Sequence, residues 1–313
     1  MPSSGSVDFS VSRNDIITAA YQEIGVYRVG QTLSADDVTL AALRLNMIVK
    51  QWQGSADFAP GLKEWSRKRG YVFLQTGQSE YDLGPSGDNA TSSYTRTTIS
   101  TAEAAAQTVI SVTSTTGMTA ADYIGIVLDT GAIHWTTIVS TGAGPTVTIT
   151  TQIPSGAAAG NYVYWYTTKM RQPLSILTAV LRDENSNDSP LYMMKTIAEY
   201  ESLPSKTTDG DPTSLYYEFQ LTNGMMYLDA EPTDVTKVIR IVFLSAIEDF
   251  DAANDTPDYP QVWYLPLMMQ TAKILSPVFG VKWTQDQEDN RKEAISIARN
   301  SFPEITDVYF QPG

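Results

Sequence analysis

Two stretches near the start of the chain have apolar residues at steps of three and four positions, which is the period of an amphipathic helix. The first, "SRNDIITAAYQEIG", begins at Ser12, a suitable N-cap, and ends on Gly25. The second, "SADDVTLAALRLNMIVKQWQG", begins at Ser34 and ends on Gly54. Ser34 and Asp37 have the spacing of a capping box, with Asp in the place of Glu or Gln. We predict an antiparallel pair of helices.

From "KEWSRKRGYVFLQTGQSEYDLGPSG" onward the period shortens, which predicts strands. Between Arg96 and Lys169 the chain contains no Lys or Arg, and Thr, Ser, Ala and Gly dominate. Turn residues separate five β-branched or aromatic runs in this region: "TVISVTS", "YIGIVLD", "AIHWTTIVS", "TVTITTQI" and "YVYWYTT". Short strands at such spacing predict that residues 91–168 form an inserted small all-β barrel or sandwich domain.

The remainder of the chain mixes helical and strand patterns. Ser189-Pro190 predicts a helix start through "LYMMKTIAEY", and Asn223-Gly224 predicts a β-hairpin. "VTKVIRIVFLSAI" is typical of a buried strand, while "QVWYLPLMMQTAKILSPVFGV" and "TQDQEDNRKEAISIARNSF" predict two further helices.

This order predicts an α+β fold: a helical layer formed by N- and C-terminal helix pairs plus short antiparallel strands, with the inserted β domain. The predicted parts are a core of residues 1–90 and 169–301, the insertion 91–168, and a tail 302–313.

The composition excludes several classes of protein. A formal charge of −14 argues against an extended basic footprint on DNA. It fits simple solubility, and equally a protein past which nucleic acid must slide without adhering. The absence of cysteine excludes disulfides and thiolate metal sites and suits a reducing cytoplasm. The start of the chain has no secretory signal pattern, and "VWYLPLMM" is shorter than the roughly 20 residues of a membrane span.

Candidate chemistry is sparse. His134 is the single histidine, so a zinc site or a Ser-His-Asp triad lacks its residues. Paired carboxylates leave a glycoside hydrolase as the alternative, although solvated acidic faces and helix starts are the favoured explanation of them. We predict no enzyme, no metal and no cofactor. The candidate carboxylate groups are Asp183-Glu184, Glu199-Glu201, Glu248-Asp249-Asp251 and Asp286-Glu288-Asp289.

Three groups of residues are typical of interaction surfaces. A basic cluster surrounds Trp65 and suits an acidic partner, DNA phosphates or an ordinary strand edge. Aromatic residues in the tail suit a docking arm, or a tail that folds back onto its own subunit. Aromatics of the last insertion strand suit carbohydrate stacking, or a core. The basic cluster is Lys63, Arg67, Lys68 and Arg69, the tail residues are Phe302, Tyr309 and Phe310, and the strand residues are Tyr162, Tyr164, Trp165 and Tyr166.

An ordered set of segments resembles the podovirus-type head-to-tail adaptors, which include the tail tubular protein A group and the packaged-DNA stabilisation, or head completion, group. The segments are "IITAAYQEIGVYRVGQTLSADDVTLAALRLNMIVKQWQ", "WSRKRGYVFLQTGQSEYDLG", "SPLYMMKTIAEYESLPSKTTDGDPTSLYYEFQLTNGMMYLDAEP" and "TPDYPQVWYLPLMMQTAKILSPVFG". They cover roughly residues 12–90 and 169–300.

The resemblance implies a structural virion protein at the head-tail junction, assembled in the host cytoplasm. It implies a twelve-fold homo-oligomeric ring beneath the portal protein, in contact with tail nozzle, tail tube or fibre proteins and with no membrane. Double-stranded DNA would pass transiently through its channel. The segment Phe302 to Gly313 would reach toward the portal, with Phe302, Tyr309 and Phe310 as docking residues. Peptidoglycan hydrolysis, assigned to some members, has no matching motif here. A cell-wall glycoside hydrolase and a carbohydrate-binding tail protein are the alternatives.

Overall fold

Five stretches of the chain form α-helices in the computed structural model, which describes Gly5, residues 8–54 and residues 66–301. They are α1 (Arg13–Glu23), α2 (Ala35–Gly54), α3 (Ile197–Glu201), α4 (Tyr264–Leu275) and α5 (Gln285–Asn300). The strands are β1 (Arg67–Phe73), β2 (Glu80–Leu83), β3 (Ala90–Thr91), β4 (Thr95–Thr98), β5 (Val109–Ser111), β6 (Tyr123–Val127), β7 (Ile133–Gly142), β8 (Thr146–Ile149), β9 (Tyr162–Tyr166), β10 (Pro173–Arg182), β11 (Asp188–Pro190), β12 (Tyr192–Met193), β13 (Ser214–Glu218), β14 (Gly224–Leu228) and β15 (Val238–Ser245).

The predicted α+β class is confirmed, because these helices accompany several sheets whose strands are almost all antiparallel. The chain forms two compact units: unit 1 comprises Met1–Ser66 and Ile247–Gly313, and unit 2 comprises Arg67–Ala246. The predicted division into residues 1–90 with 169–301, 91–168 and 302–313 stays a prediction.

Helices α1 and α2 begin at their predicted caps. The Ser12 hydroxyl accepts a hydrogen bond from the Asp15 backbone N–H, and the Asp15 carboxylate accepts one from the Ser12 backbone N–H. Gly25 follows α1 with a φ of +71°, the left-handed conformation that glycine adopts at low cost. At the start of α2, the Asp37 N–H donates to the Ser34 hydroxyl at 3.2 Å. Both predicted helices are confirmed.

A tyrosine completes the cap of α2. The hydroxyls of Tyr27 and Ser34 both donate to Oδ2 of Asp37, at 2.5 and 2.6 Å. The Ser34 backbone N–H points to the Tyr27 hydroxyl at 3.5 Å rather than to the Asp37 carboxylate that a capping box would supply. The hydrogen bonds from Ser34 and Tyr27 lower the pKa of Asp37. One carboxylate therefore ties the start of α2 to the α1–α2 loop.

We expect Asp37→Ala to lower the free energy of unfolding by about 1–2 kcal/mol, because two hydroxyl donors lose their acceptor at a helix start. Asp36→Ala is the matched control, since Asp36 is an exposed carboxylate in the same helical turn. Urea denaturation of both variants measures the difference. Equal losses in the two variants would show that only the helix dipole matters at this position.

Helices α1, α2, α4 and α5 pack around one apolar core in unit 1. Tyr21, Leu45, Trp263 and Leu267 are at most 1% exposed, and the ring centroids of Trp52 and Trp263 lie 6.1 Å apart. Burial of each such side chain contributes roughly 1.5–3 kcal/mol, which exceeds the contribution of helix propensity. Tertiary packing therefore holds these helices in place.

The two C-terminal helices also form where the sequence predicts them. A 3-10 turn, Gln261–Trp263, precedes α4, and Pro266 lies in the first turn of that helix, where its missing N–H costs little. α5 begins with a capping box between Thr284 and Gln287. The Gln287 side-chain amide also donates to the backbone carbonyl of Glu23 at 3.2 Å, which joins the start of α5 to the end of α1.

Two sheets of unit 2 face each other across a shared core. One has the order β11-β10-β15-β1-β3, and the other has the order β12-β13-β14-β2, in which only β12 and β13 are parallel. Alternate side chains of these strands point into this core, among them Val72, Leu83, Leu215, Leu228 and Ile241. The predicted buried strand "VTKVIRIVFLSAI" is confirmed as β15.

The prediction that a helix begins at Ser189-Pro190 is wrong. These residues pair with β10 as the edge strand β11. Proline is tolerated there because an edge strand leaves one side of its backbone without ladder hydrogen bonds. The helix α3 begins only at Ile197, after the N-cap Thr196.

The predicted hairpin is confirmed as β13 and β14, but Asn223-Gly224 does not form a two-residue turn. Residues 219–223 connect the strands, and Gly224 already belongs to β14. The Asn223 amide donates to the Asp82 carboxylate at 3.0 Å. A Cβ at position 224 would overlap the Tyr217 hydroxyl, so close packing explains the glycine here.

The third sheet contains every strand predicted between residues 91 and 168. Its order is β4-β9-β6-β7-β8-β5, all antiparallel. It curls into a half-barrel in which a bridge between Ile99 and Val112 joins the ends of its two edge strands. Ile110, Ile124 and Val147 are fully buried in its own core.

An aromatic cluster joins this half-barrel to the five-stranded sheet within unit 2. Phe73 of β1 lies at its centre, with ring centroids of Tyr94, Trp135, Tyr164 and Tyr166 at 4.9 to 5.9 Å. Aromatic pairs at such distances add about 0.5–1.5 kcal/mol each beyond the burial of their area. The half-barrel is therefore packed against β1 through these rings.

Candidate functional site

The described part of the predicted basic cluster lies on β1. Arg67, Lys68 and Arg69 are exposed, because β3 covers only the other end of this strand. The side chains of Lys68 and Arg69, unlike that of Arg67, form no hydrogen bond or ion pair with the residues that the structure describes. Their charges are therefore available to a ligand or partner. Lys63 lies outside the described residues.

The predicted docking residues Phe302, Tyr309 and Phe310 also lie outside the described residues, so the docking arm stays a prediction.

The hypothesis that the aromatic residues of β9 stack on carbohydrate is wrong for two of the four residues. Tyr164 and Tyr166 are each 1% exposed and belong to the aromatic cluster around Phe73. Trp165 packs against the core of the half-barrel. Tyr162 is also half-buried, and the guanidinium of Arg96 covers its ring at 4.3 Å from the ring centroid. The side chains of β9 alternate between two cores, so the strand does not present a row of aromatic rings to a sugar.

A cleft of about 460 Å³ lies in unit 2, where the half-barrel meets the five-stranded sheet. The Tyr162 hydroxyl donates to the Glu184 carboxylate at 2.8 Å, and this hydrogen bond raises the pKa of Tyr162. The Arg96 guanidinium donates to the Glu184 backbone carbonyl. The residues that line the cleft include Tyr71, Ser93, Tyr94, Arg96, Arg182 and Glu184.

The charges that line the cleft are balanced. Arg96 and Arg182 face Asp183 and Glu184. Arg182 is held by two hydrogen bonds to Asp188, which lower the pKa of Asp188. A balanced polar lining suits hydroxyl or amide groups of a neutral ligand better than an anion. No local pattern of residues indicates this cleft, because its lining comes from three separate segments of the chain.

The candidate carboxylate pairs have structural partners. Asp183 accepts hydrogen bonds from Asn187 and Asn185, and Glu199 accepts them from the Lys195 backbone and the Tyr192 hydroxyl. These bonds lower the pKa of both carboxyls. A general acid in glycoside cleavage needs a raised pKa, so the shift has the opposite sign.

The other two groups lie in unit 1. Asp249 forms an ion pair with Lys50 at 2.7 Å. Glu288 accepts hydrogen bonds from Arg291, Lys273 and the indole of Trp283. The Arg291 contact contributes most to lowering the pKa of Glu288 far below its ordinary value. Glu288 therefore links α4 to α5 instead of serving as an acid.

His134 lies on β7, half-buried, with Nε2 at 3.1 Å from the Thr151 carbonyl and 3.2 Å from its hydroxyl. Among the described residues, no group of three or more His, Asp and Glu side chains is arranged to hold a metal ion.

The helices of unit 1 expose large apolar side chains. Leu43 and Met47 are 54% and 55% exposed and lie one turn apart on α2. Leu265 on α4 and Ile297 on α5 are exposed to a similar extent. An apolar side chain on the outer face of a helix is common when it stands alone. The pair on α2 forms a continuous stripe of the kind that protein interfaces use.

An acidic stripe runs along the outer face of α5. Asp286, Asp289 and Glu293 recur at helical spacing and are exposed. Within the described ranges, none of the three forms an ion pair. The stripe ends on the exposed Ile297.

No protein-family model matches the chain, and a search of curated proteins finds no match. In the part of the chain that the structure describes, no helix is both long and apolar enough to cross a membrane.

Proposed function

We propose that the protein is a ring-forming head-to-tail adaptor of a tailed bacteriophage. It binds below the portal, joins the DNA-filled head to the tail, and forms part of the DNA ejection channel. The observation that supports this proposal most is the exposed apolar stripe of Leu43 and Met47 on a long, well-capped helix of unit 1. A protein that acts through its surfaces needs such stripes, whereas an isolated soluble subunit gains nothing from them.

In this proposal the two terminal helix pairs, α1 with α2 and α4 with α5, form one helical layer that serves as the wall of the ring. The shared core of Tyr21, Leu45 and Trp263 makes the wall rigid. Its outer faces then supply heterologous contacts, in which different patches of identical copies meet and close into a ring.

The acidic composition supports a channel through which DNA slides. A wall of Lys and Arg would bind phosphates and release counterions at each contact, which holds the polyanion in place. The net charge of −14 has the opposite effect. A lumen lined by carboxylates keeps the DNA mobile.

The two alternatives have less support. A glycoside hydrolase needs a carboxyl whose pKa is raised, and Asp183, Glu199 and Glu288 are all shifted downward. A carbohydrate-binding protein that stacks sugars on β9 loses Tyr164 and Tyr166 to the core.

Mixing the protein with portal complexes from the same virus tests the proposal. We expect mass photometry to record a stoichiometric complex, and Leu43→Asp to weaken its formation at least tenfold. Gln51→Asp is the matched control, because it adds the same charge to an exposed position of α2 that is already polar. If the wild-type protein leaves the mass of the portal complex unchanged, the proposal fails.

A further inference from the structure

The basic end of β1, which contains Lys68 and Arg69, lies two strands away from an exposed apolar side chain of β10. Arg69 pairs with Val242 of β15, which pairs in turn with Thr178 of β10. At this position β10 contains a register shift, and Leu177 within it is 40% exposed. Two strand spacings of about 4.8 Å separate β1 from β10, so the cation and Leu177 lie roughly 10 Å apart. This face of the sheet combines the unpaired Arg69 side chain with an exposed apolar side chain.

The outer face of α5 has the complementary composition. Its carboxylates Asp286, Asp289 and Glu293 precede the exposed Ile297 on one stripe. At a rise of 1.5 Å per residue, Glu293 lies about 6 Å and Asp289 about 12 Å from Ile297 along the axis. The distances between charge and apolar group are therefore similar on both surfaces.

We propose that the acidic stripe of α5 in one copy docks on the basic end of β1 and on Leu177 in the neighbouring copy. The inference rests on the proposed ring. Every copy has both surfaces, so the same contact repeats from copy to copy and requires no second protein. Opposite charges beside an apolar contact set the register and the orientation of the two copies.

DNA is the less suitable occupant of the basic end of β1. Phosphate binding favours an extended array of cations, and here Lys68 and Arg69 point to opposite faces of β1 in a strongly acidic chain, so that only Arg69 shares the face of Val242 and Thr178. An apolar side chain has no partner on a phosphate backbone, whereas Ile297 offers one.

Zero-length cross-linking tests the contact directly. A carbodiimide joins an amine to a carboxylate only when the two groups touch, and a mixture of ¹⁴N- and ¹⁵N-labelled protein distinguishes links between copies from links within one. In the portal-bound assembly of the Arg69→Lys variant we expect mixed-isotope links from position 69 to Asp289 or Glu293, because Arg69, unlike Lys68, shares the sheet face of Val242 and Thr178. Absence of these links from a ring that is otherwise complete overturns the inference and leaves the proposed function intact.

Charge reversal supplies an independent test. Arg69→Glu and Glu293→Arg should each weaken ring formation at least tenfold, and the double variant should recover most of the loss. Lys195→Glu, at an exposed lysine elsewhere in unit 2, is the control and should assemble normally. Normal assembly of Arg69→Glu, together with loss of binding to duplex DNA in a gel-shift assay, would instead identify the basic end as a DNA contact. If the wild-type protein forms no ring with the portal, the proposed function fails together with this inference.

Discussion

Replacing Glu288 by Gln is expected to lower the free energy of unfolding of unit 1 by about 2–4 kcal/mol. The carboxylate accepts hydrogen bonds from Arg291, Lys273 and Trp283, and its side chain is only 17% exposed. An amide cannot compensate a cation, so the substitution leaves Arg291, whose side chain is 15% exposed, without its carboxylate between α4 and α5. Urea denaturation followed by far-ultraviolet circular dichroism measures the loss.

The same variant tests the sign of the pKa shift. Because folding lowers the pKa of Glu288, the ionised carboxylate stabilises the folded state fully above the ordinary carboxyl pKa of about 4.3. This stabilisation disappears as the pH falls below that value toward the folded pKa. The difference between wild type and Glu288→Gln should therefore be constant above about pH 5 and shrink in acid. Glu293→Gln, at an exposed carboxylate of the same helix, should change stability by less than about 0.5 kcal/mol. Equal effects of the two substitutions would contradict this account of the α4–α5 contact.

Replacing Phe73 by Ala is expected to lower the free energy of unfolding of unit 2 by about 3–5 kcal/mol. The ring is 1% exposed and contacts Tyr94, Trp135, Tyr164 and Tyr166, so its removal leaves a cavity between β1 and the half-barrel. Chemical denaturation with tryptophan fluorescence and near-ultraviolet circular dichroism should report both the loss and a weaker aromatic signal.

Phe73→Leu provides the control, because it retains an apolar side chain and should cost less than about 1.5 kcal/mol. A loss below about 1 kcal/mol in Phe73→Ala would show that the half-barrel does not depend on this cluster.

The sequence was sufficient where local chemistry decides the structure. The capping box of Ser12 and Asp15 fixes the start of α1, and the β-branched and aromatic runs between residues 91 and 168 identify five of the six strands of the half-barrel, all except β4. The sequence was insufficient where pairing with a distant strand decides the local structure. Ser189-Pro190 has the local chemistry of a helix start, but β10 offers it a sheet edge, and the sheet prevails.

The candidate surfaces show the same division. Exposure of Arg67, Lys68 and Arg69 could be predicted in part from a basic run at a strand end, whereas Leu177 is brought to the same sheet as Arg69 by the pairing of β10 and β1 with β15. Helical period could have separated Glu288 from Asp286 and Asp289, because it lies on a different face of α5 and turns toward α4. The cleft beside Arg96 and Arg182 depends on tertiary packing, so no period in the sequence indicates it.

A three-dimensional reconstruction of the head-to-tail junction of the tailed particle tests the central claim most directly. The account predicts a closed ring of this chain below the portal, with carboxylates facing the channel. A junction without such a ring, or a channel that this chain lines mainly with Lys and Arg, would contradict it.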